Sequence, residues 1–217
     1  LQFVFLSLFF EIRDMENLVK EPAVAYGNRY TPEEYLEMEW ENGVRYEYWD
    51  GELVAMASPT LRHNKLALNI ALILKSKGKK SGCDTYVTEA SLKIAGGKNY
   101  LLPDVIFTCN EDDLKAERFI QNPTILVEVL SDSNESYDRN QKWRQYQKIK
   151  SLRYFLLISQ QEYRVEMYKR QNEQQLFFYQ SFEGLDAVIH FEDLGFDMSL
   201  MEIYDGIIFP DKPAADK

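Results

Sequence analysis

The sequence predicts an α/β domain in which a mixed β-sheet is flanked by helices and preceded by an N-terminal helix and a β-hairpin. Three observations carry this expectation. "LRHNKLALNIALILKSKG" repeats apolar residues at helical spacing, "LLPDVIFT" and "TILVEVLS" read as short sheet strands, and such segments alternate along the chain. The core order is helix, strand, strand, strand, helix, strand (αβββαβ), with residues 84–94 taken as one bent strand or a hairpin. At 217 residues, 45% apolar and 28% charged, the chain can bury a sizeable core and is too apolar for global disorder. No repeat, low-complexity tract or long linker divides it, so residues 15–210 read as one domain followed by a polar tail over 211–217.

The elements follow in order. The apolar opening, residues 1–14, is too short to span a bilayer and lacks a basic start and a small-residue cleavage site. It is expected to be a non-native extension, with translation beginning at Met15. Thr31, Pro32 and Glu34 then form an N-cap, a first-position proline and a capping box, which predict a helix to about Glu41. "VRYEYWDGELVAMA" predicts a hairpin turning at Asp50-Gly51, the dipeptide that tolerates positive φ. A helix over about 60–77 places Leu66, Ile70, Ile73 and Leu74 on one face and gathers lysines at its carbonyl end. Strands follow at 84–88, 91–94, "LLPDVIFT" and "TILVEVLS", with a polar loop over 110–122. A helix over 136–150, a hairpin at 152–159 and 163–169, and a strand at "LFFYQSF" complete the reading up to the less patterned end.

A formal charge of −10 argues against indiscriminate binding to nucleic acid or anionic lipid, but the charge is unevenly spread. Tyr30 to Glu52 holds eight carboxylates and one basic residue, whereas Thr60 to Cys83 and Arg139 to Gln161 each hold six Lys and Arg and no carboxylate. Cys83 and Cys109 match neither a zinc-ligand spacing nor a disulfide framework, and the expectation is two reduced thiols in a cytoplasmic protein. There is no Walker A loop, dinucleotide glycine fingerprint or Gly-x-Ser-x-Gly elbow, so P-loop hydrolysis, hydride transfer and serine hydrolysis lack their usual signals.

Glu128 poses the functional question, because it interrupts an otherwise apolar strand and a buried carboxylate is costly without a partner. Asp104 stands 24 positions earlier, after Pro103 at the start of the preceding strand. If the two strands are neighbours, both carboxylates reach one end of the sheet. That is the outline of a divalent metal site, with hard oxygen ligands completed by water and a phosphate oxygen. Taken singly, Asp104 also fits a turn or cap residue, and Glu128 an ion pair or a solvated strand face. Asp138, Lys142 and Tyr146 are spaced by four and share a helical face, which fits either a site lysine or an ordinary surface ion pair.

Pro103-Asp104, Glu128 in "VEVLS" and the series "SYDRNQKWRQY" together resemble the PD-(D/E)XK, restriction endonuclease-like superfamily. The resemblance is closest to the bacterial Uma-type endonuclease family and covers about Tyr30 to Tyr204. It implies a phosphodiester hydrolase using Mg²⁺, with Mn²⁺ as a substitute, and nucleic acid as partner, DNA being the expected polymer. Asp104 and Glu128 would hold the metal, and the Val129 carbonyl could add a ligand. The superfamily's usual lysine two residues after the glutamate is absent, since position 130 is Leu130, and Lys142 would take its place. Glu47 would be a third carboxylate at the site, in competition with a solvent-facing or paired strand residue. His63 would touch substrate or the metal's outer shell, and Arg139, Arg144 and Tyr146 would contact substrate. Lys93 is the alternative site lysine, and Lys75, Lys77, Lys79 and Lys80 are as readily explained by the helix dipole as by phosphate. A homodimer is a family-level expectation. The opposing class is a catalytically inactive binding or interaction protein on the nuclease scaffold, which the acidity and the missing lysine both favour.

Overall fold

A computed structural model describes residues 29–38, 44–87, 90–132, 135–171 and 176–209. The expected extension over 1–14, the end of the first predicted helix and the tail over 211–217 lie outside the described residues. Helix α1 (Pro32–Glu37) carries the reciprocal Thr31–Glu34 capping box, and Met38 after it is extended. Strands β1 (Arg45–Trp49) and β2 (Glu52–Met56) pair antiparallel with Arg45 opposite Met56, and Asp50 and Gly51 turn between them at φ 45° and 104°. Helix α2 spans Leu61–Gly78, with the Thr60 hydroxyl accepting from the His63 backbone. Gly78 is needed where it stands, since a Cβ there would lie 2.4 Å from the Phe107 ring.

Strands β3 (Asp84–Val87), β4 (Ser91–Ile94), β5 (Asn99–Leu101), β6 (Val105–Thr108), β7 (Phe119–Ile120), β8 (Ile125–Val129), β9 (Tyr154–Ile158), β10 (Arg164–Arg170) and β11 (Phe177–Glu183) form two sheets. One has the order β2-β1-β5-β4-β7 and the other β11-β10-β9-β8-β6-β3. The larger is mixed, with β8 and β9 parallel and its other pairs antiparallel. Residues 84–94 are therefore neither one bent strand nor a hairpin, because β3 and β4 belong to different sheets. "LLPDVIFT" is likewise two strands. Pro103 has no N–H to offer a ladder, and the chain leaves the smaller sheet at Leu101 and joins the larger at Val105. The polar stretch over 110–122 contains a short helix α3 (Glu111–Leu114), capped by Asn110, and β7. Beyond β11, β12 (Val188–Phe191) and β13 (Phe196–Ser199) make a two-stranded sheet that leads into α6 (Leu200–Ile203).

The second core helix is shorter than predicted and interrupted. Helix α4 (Glu135–Tyr137) passes through a π-helical turn (Asp138–Lys142) into α5 (Trp143–Tyr146). Beyond Tyr146, buried Arg170, on β10, donates from its guanidinium to the carbonyls of Gln147, Ile149 and Leu152. The larger sheet is packed on both faces. Leu66, Ile70 and Leu74 of α2 meet Val105, Phe107, Ile125 and Val127, and each such fully buried side chain contributes about 1.5–3 kcal/mol. The opposite face sets Ile106, Leu126, Phe155 and Leu157 against Tyr146 and Ile149. By strand alternation Glu128 belongs to this second face, beneath the helix that bears Lys142.

Cys83 and Cys109 form a disulfide across 26 positions, which corrects the expectation of two reduced thiols. The antiparallel pairing of β3 with β6, Asp84 opposite Thr108, brings the flanking cysteines side by side, a contact that spacing alone does not reveal. Among the described residues no helix is long and apolar enough to cross a membrane.

Candidate active site

Glu128 is 2% exposed and its carboxylate is fully engaged. Lys142 Nζ lies 3.0 Å from each of its oxygens, and the Tyr146 hydroxyl donates to Oε1 at 2.7 Å. The helical face predicted from the fourfold spacing thus turns towards Glu128, and Lys142, 1% exposed, is an interior residue rather than a surface partner. The same ammonium lies 3.3 Å from Asp138 Oδ1 and 3.3 Å from Glu47 Oε1. Glu47, wholly buried on β1, accepts from the Leu102 backbone at 2.8 Å, the Tyr137 hydroxyl at 2.8 Å and the Trp49 indole at 3.2 Å. One carboxylate from the smaller sheet therefore ties together the π-helical turn and the stretch that carries Asp104.

Asp104 sits where the chain enters β6, and the antiparallel register that sets Val105 opposite Val127 brings it beside the end of β8. Its Oδ2 accepts from the Val129 backbone at 2.7 Å and lies 3.1 Å from His63 Nε2. The His63 side chain is 15% exposed and that of Asp104 22%. Both line a cleft of about 1090 Å³ shared with Glu128, Val129, Asp138 and Lys142. The cleft runs between the start of α2, the β8 end and the Gln160 turn, where the Gln160 amide donates to the Leu130 carbonyl and accepts from the Thr60 hydroxyl.

The electrostatics of this site are unbalanced. Glu47, Asp104, Glu128 and Asp138 set four carboxylates around the single ammonium of Lys142. Burial raises the Glu128 carboxyl well above its ordinary value against the pull of Lys142. Burial likewise pushes Asp138 up to about 7, with Lys142 again opposing and Asp104 adding to the rise. For Lys142, burial disfavours the charge, but the carboxylates, Glu128 foremost, outweigh it and hold the ammonium well above the usual lysine value. Asp138 Oδ1 is buried with the Lys142 ammonium 3.3 Å away.

The cluster offers hard oxygen donors, the kind that Mg²⁺ takes. Among the described residues no three Asp, Glu, His or Cys side chains converge as a preformed cage. Mg²⁺ needs none, since it is commonly held by one or two carboxylates with water and substrate oxygens. Asp104 and Glu128 are the carboxylates that would hold it, and the surplus negative charge of the cluster favours a dication over a further ammonium.

The remaining candidates are distributed as follows. Arg139 donates from Nη1 and Nη2 to the two Glu166 oxygens, each at 2.6 Å, and from Nε to Glu135 at 2.7 Å, and it does not line the cleft. Arg144 is exposed outside the cleft, Tyr146 is buried behind Glu128, and Leu130 packs in the core. Lys93 lies 6.0 Å above the Phe119 ring, and Lys75 pairs with Asp84. Sequence reasoning missed Trp49, Tyr137 and Gln160. Trp49 carried a signal, being two residues from Glu47 on one face of β1, and Tyr137 adjoins Asp138, but nothing local marks Gln160.

Residues 32–201 match the model of a family described as "Uma2: Putative restriction endonuclease". A protein of Synechocystis, slr1290, is 29% identical over 183 residues, which are 83% of this chain and 94% of that protein. A second, sll1609, is 32% identical over 147 residues, 67% of this chain and 83% of the relative. Among solved structures, a "putative nuclease belonging to DUF820" from Anabaena variabilis superposes with a TM-score of 0.66 at 18% identity, covering 81% of this chain and 97% of that one. The matched fold is the restriction endonuclease-like one. The family match runs through both sheets and every residue of the Asp104–Glu128–Lys142 cluster, and the chain belongs to the Uma2 family of nuclease-type proteins.

Proposed function

We propose that this chain hydrolyses phosphodiester bonds in nucleic acid, with DNA as the polymer and Mg²⁺ or Mn²⁺ as cofactor. The observation that carries this reading is a surplus of buried carboxylate around one ammonium, opening onto a cleft beside Asp104 and His63. Asp104 and Glu128 would hold the metal, which when bound lowers the proton affinity of water and screens the phosphate charge. Lys142 stays protonated among its carboxylates, so it serves as a donor that orients the incoming water or steadies negative charge on the phosphorus oxygens. It is unsuited to act as the base. In the reaction the water oxygen bonds to phosphorus and releases a proton to bulk water through the open cleft, the phosphorus bond to the leaving sugar oxygen breaks, and that oxygen takes up a proton from solvent. His63 and the Val129 amide hold the Asp104 carboxylate in one orientation, while Tyr146 does the same for Glu128.

One observation favours a second reading, a nuclease scaffold kept as a binding protein. Both Glu128 oxygens are already taken by Lys142 and Tyr146. Incubating labelled DNA with the protein and Mg²⁺ or Mn²⁺, beside Asp104→Asn, separates the two. Metal-dependent cutting that the substitution abolishes supports the enzyme. DNA binding without cutting, and with no heat of metal binding that depends on Asp104, supports the scaffold.

A further inference from the structure

We infer that Gln160 is a positioning residue of the site: it latches the start of α2 to the end of β8 and thereby holds His63 against Asp104. Its consequence for cleavage rests on the nuclease reading above. Gln160 stands in the turn between β9 and β10, borders the cleft and is 7% exposed. β8 and β9 run parallel as far as Val129 and Ile158, and the Leu130 N–H still donates to the Ile158 carbonyl at 2.9 Å. The next bond of such a ladder would run from the Gln160 backbone N–H to the Leu130 carbonyl. The chain turns back towards β10 there, and the Gln160 side-chain amide makes that bond instead, at 2.7 Å. The turn itself is pinned by the Tyr204 hydroxyl, 3.0 Å from the Ser159 carbonyl and 2.6 Å from that of Arg164.

A carbonyl can only accept, so Leu130 fixes which end of the Gln160 amide carries the N–H groups. Oε1 is thereby turned to the Thr60 hydroxyl, which donates to it at 2.8 Å and accepts from the His63 backbone N–H at 3.1 Å. Thr60 is the N-cap of α2, so one oxygen both opens the helix and ties it to the sheet. Arg62 adds a second strap, donating to the Gln160 carbonyl at 3.0 Å. His63 carries the connection on, with Nε2 3.1 Å from Asp104 Oδ2, and the same oxygen accepts from the Val129 N–H at 2.7 Å. The path from Asp104 through Val129, Leu130, Gln160, Thr60 and His63 therefore closes on the atom where it began. Oδ2 is held from two sides, and Oδ1 is the Asp104 oxygen left for a cation. Groups that fix the orientation of a ligating carboxylate in this way govern how well it holds the ion.

Gln160→Ala opens this ring, Thr60→Ala opens it from an exposed position, and Thr60→Ser leaves it closed. With labelled DNA and Mg²⁺, the two alanine variants should each lower kcat about tenfold while KM stays within about twofold, and Thr60→Ser should keep the original rate. Adding Gln160→Ala to His63→Ala should lower kcat no further than His63→Ala alone, because both act through one carboxylate. Additive losses, or a kcat that Gln160→Ala leaves unchanged, overturn the inference. A second measurement needs neither metal nor cleavage. In hydrogen exchange on the full chain, Gln160→Ala and Thr60→Ala should each speed exchange of the His63 and Val129 amides about fivefold, with Ile70 to Leu74 in the middle of α2 unchanged. The Val129 response to Thr60→Ala is the sharper one, since Thr60 bonds Gln160 and the first turn of α2 and makes no bond to β8 among the described residues. Unchanged exchange at both amides overturns the inference whether or not the chain cuts DNA. An unaltered chain that does not cut, with both amides released by the alanine variants, supports the latch and overturns the nuclease reading alone.

Discussion

Lys142 and Arg139 are three residues apart in one π-helical turn, both bind carboxylates, and they are used in opposite ways. Arg139 forms a matched arrangement with Glu166, two parallel hydrogen bonds of 2.6 Å, with Glu135 on its third side. Lys142 is a single point charge among Glu47, Glu128 and Asp138, with Asp104 close enough to be felt. The first arrangement holds the Glu166 carboxyl below its ordinary value, through the Arg139 hydrogen bonds first. The second leaves Glu128 and Asp138 above theirs, because one ammonium cannot offset so much buried negative charge. A buried ion pair that closes its own charge account fixes an element in place. One that leaves a deficit, facing an open cleft, is poised to receive something positive.

The largest expected effect tests that difference directly. Lys142→Met strands three buried carboxylates and should cost about 3–5 kcal/mol in urea unfolding at neutral pH, whereas Arg139→Gln should cost about 2 kcal/mol. Equal losses would erase the distinction between the two sites.

The pH dependence should separate them by sign. Asp138 binds its proton more tightly folded than unfolded, so the stability it contributes is complete below the ordinary Asp range and declines as pH rises to about 7. Glu166 is lowered, so its contribution is present above the ordinary Glu range and is lost as pH falls through the depressed folded value. Urea melts from pH 4 to pH 8 on Asp138→Asn and Glu166→Gln should flatten the alkaline and the acid side of the profile respectively.

A divalent ion should act on the unbalanced cluster alone. Millimolar Mg²⁺ should raise the thermal midpoint by a few degrees at pH 8, and by much less at pH 5.5, where protons already serve. Asp104→Asn should suppress the rise, and Arg139→Gln should leave it intact.

The smallest change concerns Glu47, which by its contacts anchors Lys142 instead of facing the cleft. Glu47→Gln should shift Mg²⁺ affinity by less than about threefold in calorimetry while lowering cleavage by about tenfold to a hundredfold. A loss of metal affinity as deep as that of Asp104→Asn would make Glu47 a ligand.

What the sequence disclosed was local. Helix α2, the Asp50-Gly51 hairpin and the shared face of Asp138, Lys142 and Tyr146 follow from spacing and turn chemistry that act over a few residues. Asp104 and Glu128 could be paired in advance because strands that follow each other often lie side by side. The parting of β3 from β4 into different sheets, the Cys83–Cys109 bond and the attachment of Arg139 to Glu166 each depend on residues brought together from separate stretches. No local pattern encodes such meetings. Arg139 illustrates this well, since an arginine beside the expected site looked like a phosphate contact until a β10 carboxylate proved to hold it.

The break at Pro103 has a mechanical consequence. Leu102 is held by Glu47 and Asp104 by the Val129 amide, so the two sheets are riveted to each other at the floor of the cleft on either side of one proline. Sliding one sheet over the other would have to break both of these hydrogen bonds.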